Sequence, residues 1–296
     1  VEALARTPED QGLRDWPRLG YYSRTRNLHQ SATHISREKN GKFPNTYDEI
    51  LKLKGVGPYT AAAISSFAFK EKKAVIDGNV MRVISRLFAI ENPVNESKGA
   101  KEIETLANDL IDPLKPDIHN QAMMEIGSQI CTPFSPKCSE CPINNYCQAF
   151  AQSRQKEFPV KIKKTKVKDL YFYYLVFLQN GKIFMRKRLG KDIWQGLHDF
   201  PLIDSEKELS DSEILNTDLV QNVLDDKYEL SYFTEYQKHL LSHRRIRAKF
   251  LILQKDSDKK PKIPDEYGKI YPYSMEESRD LGKPILILNF LKKYIY

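Results

Sequence analysis

The pattern of apolar and polar positions gives the first half of the chain a helical character. From residue 1 to about 150, apolar residues recur at three- and four-residue spacing, and glycines and prolines fall between the runs. This pattern predicts helices over 47–53, 59–69, 80–90, 101–110 and 120–130. The first half is therefore predicted to be an all-α domain.

After residue 168 the pattern changes to short aromatic and β-branched runs, which are typical of strands. Strands are predicted over 170–179 and 182–186, with Asn180-Gly181 as a two-residue hairpin turn between them, and over 249–254. Residues 206–226 and 284–293 have helical spacing. This second part is predicted to be a smaller α+β domain.

The boundary between the two parts is polar and rich in lysine. The chain has 296 residues and a formal net charge of +8, and residues 161–168 (KIKKTKVK) hold five lysines and no acidic residue. We therefore predict a domain over 1–150, a basic linker over 151–168 and a second domain over 169–296. The linker by itself is typical of a solvated segment, and it favours a phosphate-binding role only if its neighbours bind nucleic acid. Apolar runs of the ~20 residues that a membrane helix needs are absent from the sequence.

All four cysteines of the chain fall in one window, with the spacing C-x6-C-x2-C-x5-C: Cys131, Cys138, Cys141 and Cys147. No secretory signal accompanies them, so disulfides are disfavoured. Structural zinc sites usually show two short cysteine pairs, whereas only one pair here is tight. The wider, unequal arms suit the corners of a [4Fe–4S] cubane, which we favour over zinc.

Two motifs of the first domain have the residue types of a ligand site. Gly55-Val56-Gly57-Pro58 joins two predicted helices, and the free N–H groups at the start of the second helix can receive an anion. A simple interhelical turn is the alternative. Asp77 in Val75–Val80 (VIDGNV) precedes another helix, where it is either an N-cap or a carboxylate that faces a cleft.

Taken together, these motifs resemble the helix–hairpin–helix DNA glycosylases of the endonuclease III superfamily. Further segments are similar to the MutY-type adenine glycosylases in particular: LGYYSR at 19–24, NQAMMEIG at 120–127, IWQGL at 193–197 and Phe200-Pro201. The resemblance implies a helix–hairpin–helix glycosylase domain with a [4Fe–4S] loop, followed by a Nudix-like domain that recognises 8-oxoguanine. The stretch after Gly196 lacks the glutamate-rich metal motif of Nudix hydrolases, which excludes pyrophosphatase activity.

The resemblance also implies a reaction and its residues. The family flips adenine out of a duplex in which it is paired with 8-oxoguanine or guanine, and hydrolyses its N-glycosidic bond. Asp77 is similar to the aspartate that stabilises the oxocarbenium-like sugar, Asn79 to the residue that orients it, and Tyr59 to the active-site tyrosine. Bifunctional relatives carry a lysine at the position of Tyr59, so a monofunctional glycosylase is expected.

DNA contacts are implied at three further places. The hairpin is expected to bind the phosphate backbone, Tyr21 to wedge into the base stack, and Arg24 and Arg26 to reach phosphates or support the wedge. The family's lesion-reading loop corresponds to Leu241-Ser242-His243, where leucine replaces the usual phenylalanine. The residues implied at the hairpin are Gly55, Val56, Gly57 and Thr60.

The family's general acid is a glutamate in a segment upstream of the motifs found here, and no glutamate of this sequence stands in a matching context. We therefore expect an N-terminally truncated glycosylase that lacks normal adenine excision as it stands. The alternatives are an endonuclease III-like bifunctional glycosylase and a non-catalytic iron–sulfur DNA-binding protein. The expected partner is double-stranded DNA, without a membrane, and a monomeric, cytoplasmic protein is expected.

Overall fold

The computed structural model describes residues 1–16, 22–162, 168–241, 244–256 and 259–296. They form two compact units. One comprises Glu38–Lys164, and the other combines Val1–Arg37 with Thr165–Tyr296. The predicted division at 151–168 differs from these units in the placement of residues 1–37. Leu13 and Tyr22 explain the grouping, because both are buried in the same apolar core as the strands of the second unit.

Helices account for most of the regular structure in the first half of the chain. In chain order they are α1 (Glu2–Arg6), α2 (Glu9–Asp15), α3 (Tyr22–Glu38), α4 (Tyr47–Leu51), α5 (Pro58–Phe69), α6 (Gly78–Leu87), α7 (Ser97–Leu110), α8 (Pro116–Glu125) and α9 (Gln148–Ala151). The predicted helices are confirmed with boundaries shifted by a few residues. The helix predicted over 120–130 is the exception, because the α-helix ends at Glu125 and a π-helical turn, Ile126–Ile130, follows it.

The core of the Glu38–Lys164 unit lies between α6, α7 and α8. Val80, Val83 and Ile84 of α6 pack with Ile103 of α7 and Met123 of α8. The three- and four-residue spacing of these side chains places them on one face of α6, as an amphipathic helix requires. This packing fixes the start of α6, where Asp77 lies.

The second unit is built on a twisted sheet. Its described strands are β1 (Lys168–Gln179), β2 (Lys182–Lys187), β3 (His198–Asp199), β4 (Leu202–Ser205), β5 (Glu229–Phe233), β6 (Gln237–Leu240), β7 (Arg244–Gln254) and β8 (Ile270–Ser274). β1 lies at the centre, parallel to β7 and antiparallel to β2 and β4. β6 and β5 pair with successive parts of β7. Asn180 and Gly181 both have positive φ angles (49° and 70°), which confirms the predicted hairpin turn.

Apolar side chains cover both faces of this sheet. Tyr174 and Val176 of β1 belong to one core, and Tyr173, Leu175 and Phe177 belong to the other. This arrangement follows from the alternation of side chains along a strand. The remaining helices, α10 (Asp211–Leu215), α11 (Asp218–Asp225), α12 (Met275–Asp280) and α13 (Ile285–Tyr294), complete the unit.

The single helix predicted over 206–226 is wrong, because the structure has two short helices there. Residues 202–205 extend as β4 and pair with β1, and Ser210 starts α10 through a capping box with Glu213. Asn216 ends α10, and Thr217 is the N-cap of α11. The helical spacing of apolar residues is therefore genuine, but local capping divides it.

Candidate active site and iron–sulfur centre

The hairpin between α4 and α5 presents backbone N–H groups at its turn. Gly55 has a φ of +75°, a conformation that glycine adopts without strain, and the Val56 N–H donates to the Leu53 carbonyl at 3.1 Å. Gly57 is the N-cap of α5 and supplies no side-chain cap, while Pro58 occupies the first turn. The N–H groups of the first turn of α5 are thus available to an outside acceptor.

The space around this turn is open. A Cβ atom built on Gly57 would meet nothing within 4 Å, and its φ of −96° is open to any residue. Tyr59 is 48% exposed on the first turn of α5, and Thr60 beside it is exposed. Neither the conformation nor the packing of the unit therefore requires glycine at position 57.

Asp77 caps α6, and its carboxylate is held on both oxygens. Oδ1 accepts from the backbone N–H of Asn79 at 2.8 Å and from that of Val80 at 2.7 Å. Oδ2 accepts from Nδ2 of Asn79 at 2.9 Å. Gly78 leaves open space beside it, since a Cβ there would meet nothing within 4 Å. Asp77 is therefore the N-cap of α6, and open space lies beside it at Gly78.

Asn79 links this carboxylate to the cysteine-bearing loop through Arg82. Oδ1 of Asn79 accepts from Nη2 of Arg82 at 2.9 Å, and the same nitrogen donates to the Gly127 carbonyl at 2.5 Å. Nε of Arg82 donates to the Cys131 carbonyl at 2.7 Å. Glycine is required at position 127, because a Cβ atom there would lie 2.6 Å from Cβ of Asn79.

The segment before Asp77 is fixed by a buried amide. Asn120 of α8 is 2% exposed, and its Oδ1 accepts from the Val75 N–H at 2.9 Å. Its Nδ2 donates to Oγ of Ser66 at 2.8 Å and to the Lys73 carbonyl at 3.0 Å. Because these bonds join α8, α5 and residues 73–75, Asn120 sets the path by which the chain reaches Asp77.

Arg86 is buried (2% exposed) and holds the loop that carries the cysteines. Its guanidinium donates to the carbonyls of Thr132 at 2.8 Å and Pro133 at 3.0 Å, and to Sγ of Cys131 at 3.3 Å. Nε donates to the Gln155 carbonyl at 2.9 Å. Arg82 and Arg86 are four residues apart on α6, and both brace this loop.

The four cysteines line one cavity together with Arg86 and Asn144, and each is partly buried. Burial raises the pKa of the Cys138 and Cys147 thiols, and neighbouring cysteines raise it further. A metal cluster offsets this repulsion, because its positive ions stabilise thiolates. The donor set therefore fits an iron–sulfur cluster held by Cys131, Cys138, Cys141 and Cys147. Within the described residues, no group of three His, Cys, Asp or Glu side chains converges on a single-ion site.

The other predicted DNA contacts lie in the second unit, and several of them fall outside the described residues: Tyr21, Ser242 and His243. Leu241 is half-buried against the core of that unit, and its N–H donates to the Arg244 carbonyl at 2.8 Å. Arg24 is exposed, whereas Arg26 is 9% exposed and donates to the Gln195 carbonyl at 2.7 Å. Phosphate contacts of Arg24 and Arg26 remain predictions, as does the role of Leu241.

The family models and curated relatives agree on one class. The helix-hairpin-helix motif matches residues 38–67, the iron-sulfur binding domain of endonuclease III matches 131–147, and the NUDIX domain matches 173–293. An adenine DNA glycosylase of Buchnera aphidicola subsp. Baizongia pistaciae is 35% identical over 99% of this chain and 80% of its own length. The chain belongs to the adenine DNA glycosylases.

Two further proteins that resemble this adenine DNA glycosylase are covered less fully. The Schizosaccharomyces pombe enzyme is 35% identical over 65% of this chain and 51% of its own length. A solved thermostable thymine-DNA glycosylase is 31% identical, with a TM-score of 0.47, over 51% of this chain and 70% of that one. The expected iron–sulfur cofactor and the Nudix-like second domain are confirmed. None of the described helices is both long and apolar enough to cross a membrane.

Proposed function

We propose that this adenine DNA glycosylase excises adenine paired with 8-oxoguanine or guanine in double-stranded DNA, and that Asp77 stabilises the sugar cation of that reaction. The observation that supports the role of Asp77 is the set of hydrogen bonds that orient its carboxylate. Three donors fix its carboxylate beside the open space at Gly78. A carboxylate that is oriented before reaction stabilises developing positive charge without the cost of reorganisation.

Each neighbouring residue has a defined part in this proposal. Asn79 positions the Asp77 carboxylate, and the N–H groups at the start of α5 bind a DNA phosphate that approaches over Gly57. The four cysteines hold a [4Fe–4S] cluster whose part is structural, since it orders the loop that Arg82 contacts. Monomeric state and cytoplasmic location remain predictions.

Binding tests the choice of base pair without requiring excision. The 296-residue chain is titrated with duplexes that carry a hydrolysis-resistant 2′-fluoro-deoxyadenosine opposite 8-oxoguanine, guanine or thymine. We expect the tightest binding opposite 8-oxoguanine, by about tenfold or more over thymine, because one mismatched pair typically changes binding by that amount. Equal affinity for the three duplexes would contradict the proposed specificity.

Borohydride trapping tests the monofunctional reaction. A lysine amine forms a Schiff base with an abasic sugar, and borohydride converts it into a stable covalent adduct, whereas the phenol of Tyr59 forms none. We expect no adduct with an abasic-site duplex and a new adduct in the Tyr59→Lys variant. An adduct of equal yield in the unmodified chain would favour the bifunctional alternative.

A further inference from the structure

One face of the β6–β7 hairpin carries a cluster of cations, which we call the basic row: Lys238, Arg245, Arg247 and Lys249. Alternate residues of β7 point to the same side, so Arg245, Arg247 and Lys249 share a face, and Lys238 of β6 is paired directly with Arg247. Farther along β7 the same face carries the buried Leu251 and Leu253. The face therefore changes from apolar to basic toward the start of β7.

Carboxylates neutralise only part of the basic row. Arg245 lies 3.5 Å from Asp169, and Lys249 pairs with Asp211. Lys238 is exposed and Arg247 is half-buried, and within the described residues neither has a carboxylate partner. Two like charges directly opposite each other across antiparallel strands destabilise a sheet, so the fold alone does not account for this pair.

The guanidinium of Arg247 lies over an aromatic ring, and its Nε lacks an acceptor among the described residues. It lies 5.7 Å from the centroid of the Tyr171 ring, its neighbour on β1. Its Nε is buried and donates to no acceptor in the described part of the chain. Stacking on an aromatic ring limits the motion of a guanidinium and leaves its outer N–H groups for an anion.

We propose that the basic row binds the phosphate backbone of duplex DNA through Lys238 and Arg247. From Arg245 to Lys249 the row spans about 13 Å, while phosphates of one strand follow every ~3.4 Å along the helix axis. The row begins where the hairpin closes between Leu241 and Arg244. The choice of DNA over an acidic protein rests on the proposed function, because the predicted lesion-reading residues 241–243 directly precede β7 in the sequence.

Salt dependence of DNA binding tests the proposal directly. Each phosphate contact contributes about 0.9 to the slope of log K against log salt concentration. We expect the slope to fall by about 0.9 in Lys238→Gln and in Arg247→Gln, and by about 1.8 in the double variant. Arg247→Lys keeps the charge and should keep most of the slope. Lys292→Gln, an exposed lysine on α13, is the matched control and should leave the slope unchanged.

Two results would overturn the proposal. One is an unchanged slope in the double variant, with fluorescence of Trp194 showing a folded unit. The other is a slope that falls equally in Lys292→Gln. An acidic polyglutamate peptide that binds the row more tightly than a duplex does would assign it to a protein partner instead.

Phosphate contacts do not depend on sequence, so the variants should keep the preference for 8-oxoguanine. Loss of that preference in the unmodified chain would count against the proposed function, not against the row.

Discussion

The two units bury cationic side chains in opposite ways. In the Glu38–Lys164 unit, Arg86 gives most of its hydrogen bonds to neutral backbone carbonyls. In the second unit, Arg186 and Arg188 share the fully buried Asp199, at 2.8 and 2.5 Å, and Arg188 also pairs with Asp192. The first arrangement satisfies the donors but leaves the charge uncompensated, whereas the second neutralises it.

This difference separates a cofactor-binding arrangement from a structural one. A buried cation without a carboxylate is costly unless another anion stabilises it, and the four thiolates of an iron–sulfur site supply that anion beside Arg86. Arg186 and Arg188 need no ligand, because Asp199 is already present. The positive charge of Arg86, which no carboxylate compensates, thus indicates that the cysteine site holds an anionic iron–sulfur centre.

The largest expected effect comes from removing one member of each arrangement. Asp199→Asn should lower the unfolding free energy of the second unit by about 3–5 kcal/mol, because it removes the buried carboxylate charge that the partly buried Arg186 and Arg188 share. Its iron content should not change. Arg86→Gln should lose iron while the second unit keeps its stability. Trp16 and Trp194, the two tryptophans of the chain, both lie in the second unit, so their fluorescence during urea unfolding reports on that unit alone.

The opposite pattern of iron loss in these two variants would contradict the comparison of the two units. If Arg86→Gln kept a full complement of iron and sulfide, its uncompensated charge would not serve the cluster. If Asp199→Asn lost iron, the two networks would not be independent.

A further buried cation, Lys283, sharpens the comparison because it can release its proton. It is 2% exposed, its Nζ donates to the carbonyl of Leu281 at 2.7 Å, and burial lowers its pKa to about 8. Between pH 8 and the ordinary lysine pKa, the unfolded chain binds the proton and the folded chain does not. Stability should therefore rise with pH through this window, by roughly 1–3 kcal/mol. Lys283→Met should remove that rise in the tryptophan-monitored unfolding curve, and an unchanged rise would assign it to another group.

In the Glu38–Lys164 unit, substitution of two glycines distinguishes a glycine that packing requires from one that the approach of a ligand requires. Gly127→Ala should lower stability by about 1–3 kcal/mol, because its Cβ would lie 2.6 Å from Cβ of Asn79. Gly57→Ala should leave stability unchanged and weaken DNA binding. Thermal loss of the iron–sulfur absorbance measures the first effect, and duplex titration measures the second. Equal thermal loss in the two variants would show that Gly57 is a packing residue.

An effect of similar size is expected from the buried amide. Asn120→Ala leaves the Val75 N–H without its acceptor, which should cost about 1–3 kcal/mol. Asn108→Ala is a matched control, since its Oδ1 accepts from the adjacent Ala74 N–H at 3.1 Å but its Nδ2 bonds only within α7. Asn120→Ala should therefore lower the temperature at which the cluster absorbance is lost, and should do so more than Asn108→Ala. Equal shifts would argue against a special role for Asn120.

Local patterns predicted the parts of the site that lie close together in sequence. The glycines of the hairpin, Asp77 before its helix and the four spaced cysteines each carry a signal within a short window. The contacts of Arg82 and Arg86 could not be predicted, because four-residue spacing shows that two side chains share a helix face without showing what that face meets.

Long-range partners explain what the sequence did not predict. Asn120 was part of a family motif, yet its bonds reach Ser66 and Val75 across the fold. The break after Glu125 has no glycine or proline at the helix end itself, and Gly127 is explained only by Asn79 packed against it. The contact of Arg26 with the Gln195 carbonyl is likewise invisible before the chain has folded.

The most direct test of the central claim is whether Asp77 recognises positive charge at the sugar. Duplexes with a cationic pyrrolidine or a neutral tetrahydrofuran in place of the adenine nucleotide are bound to the chain and to its Asp77→Asn variant. A charge-assisted contact of about 1.5–3 kcal/mol predicts a preference of about 10–100-fold for the cation, lost in Asp77→Asn. The same preference in both proteins would contradict the account.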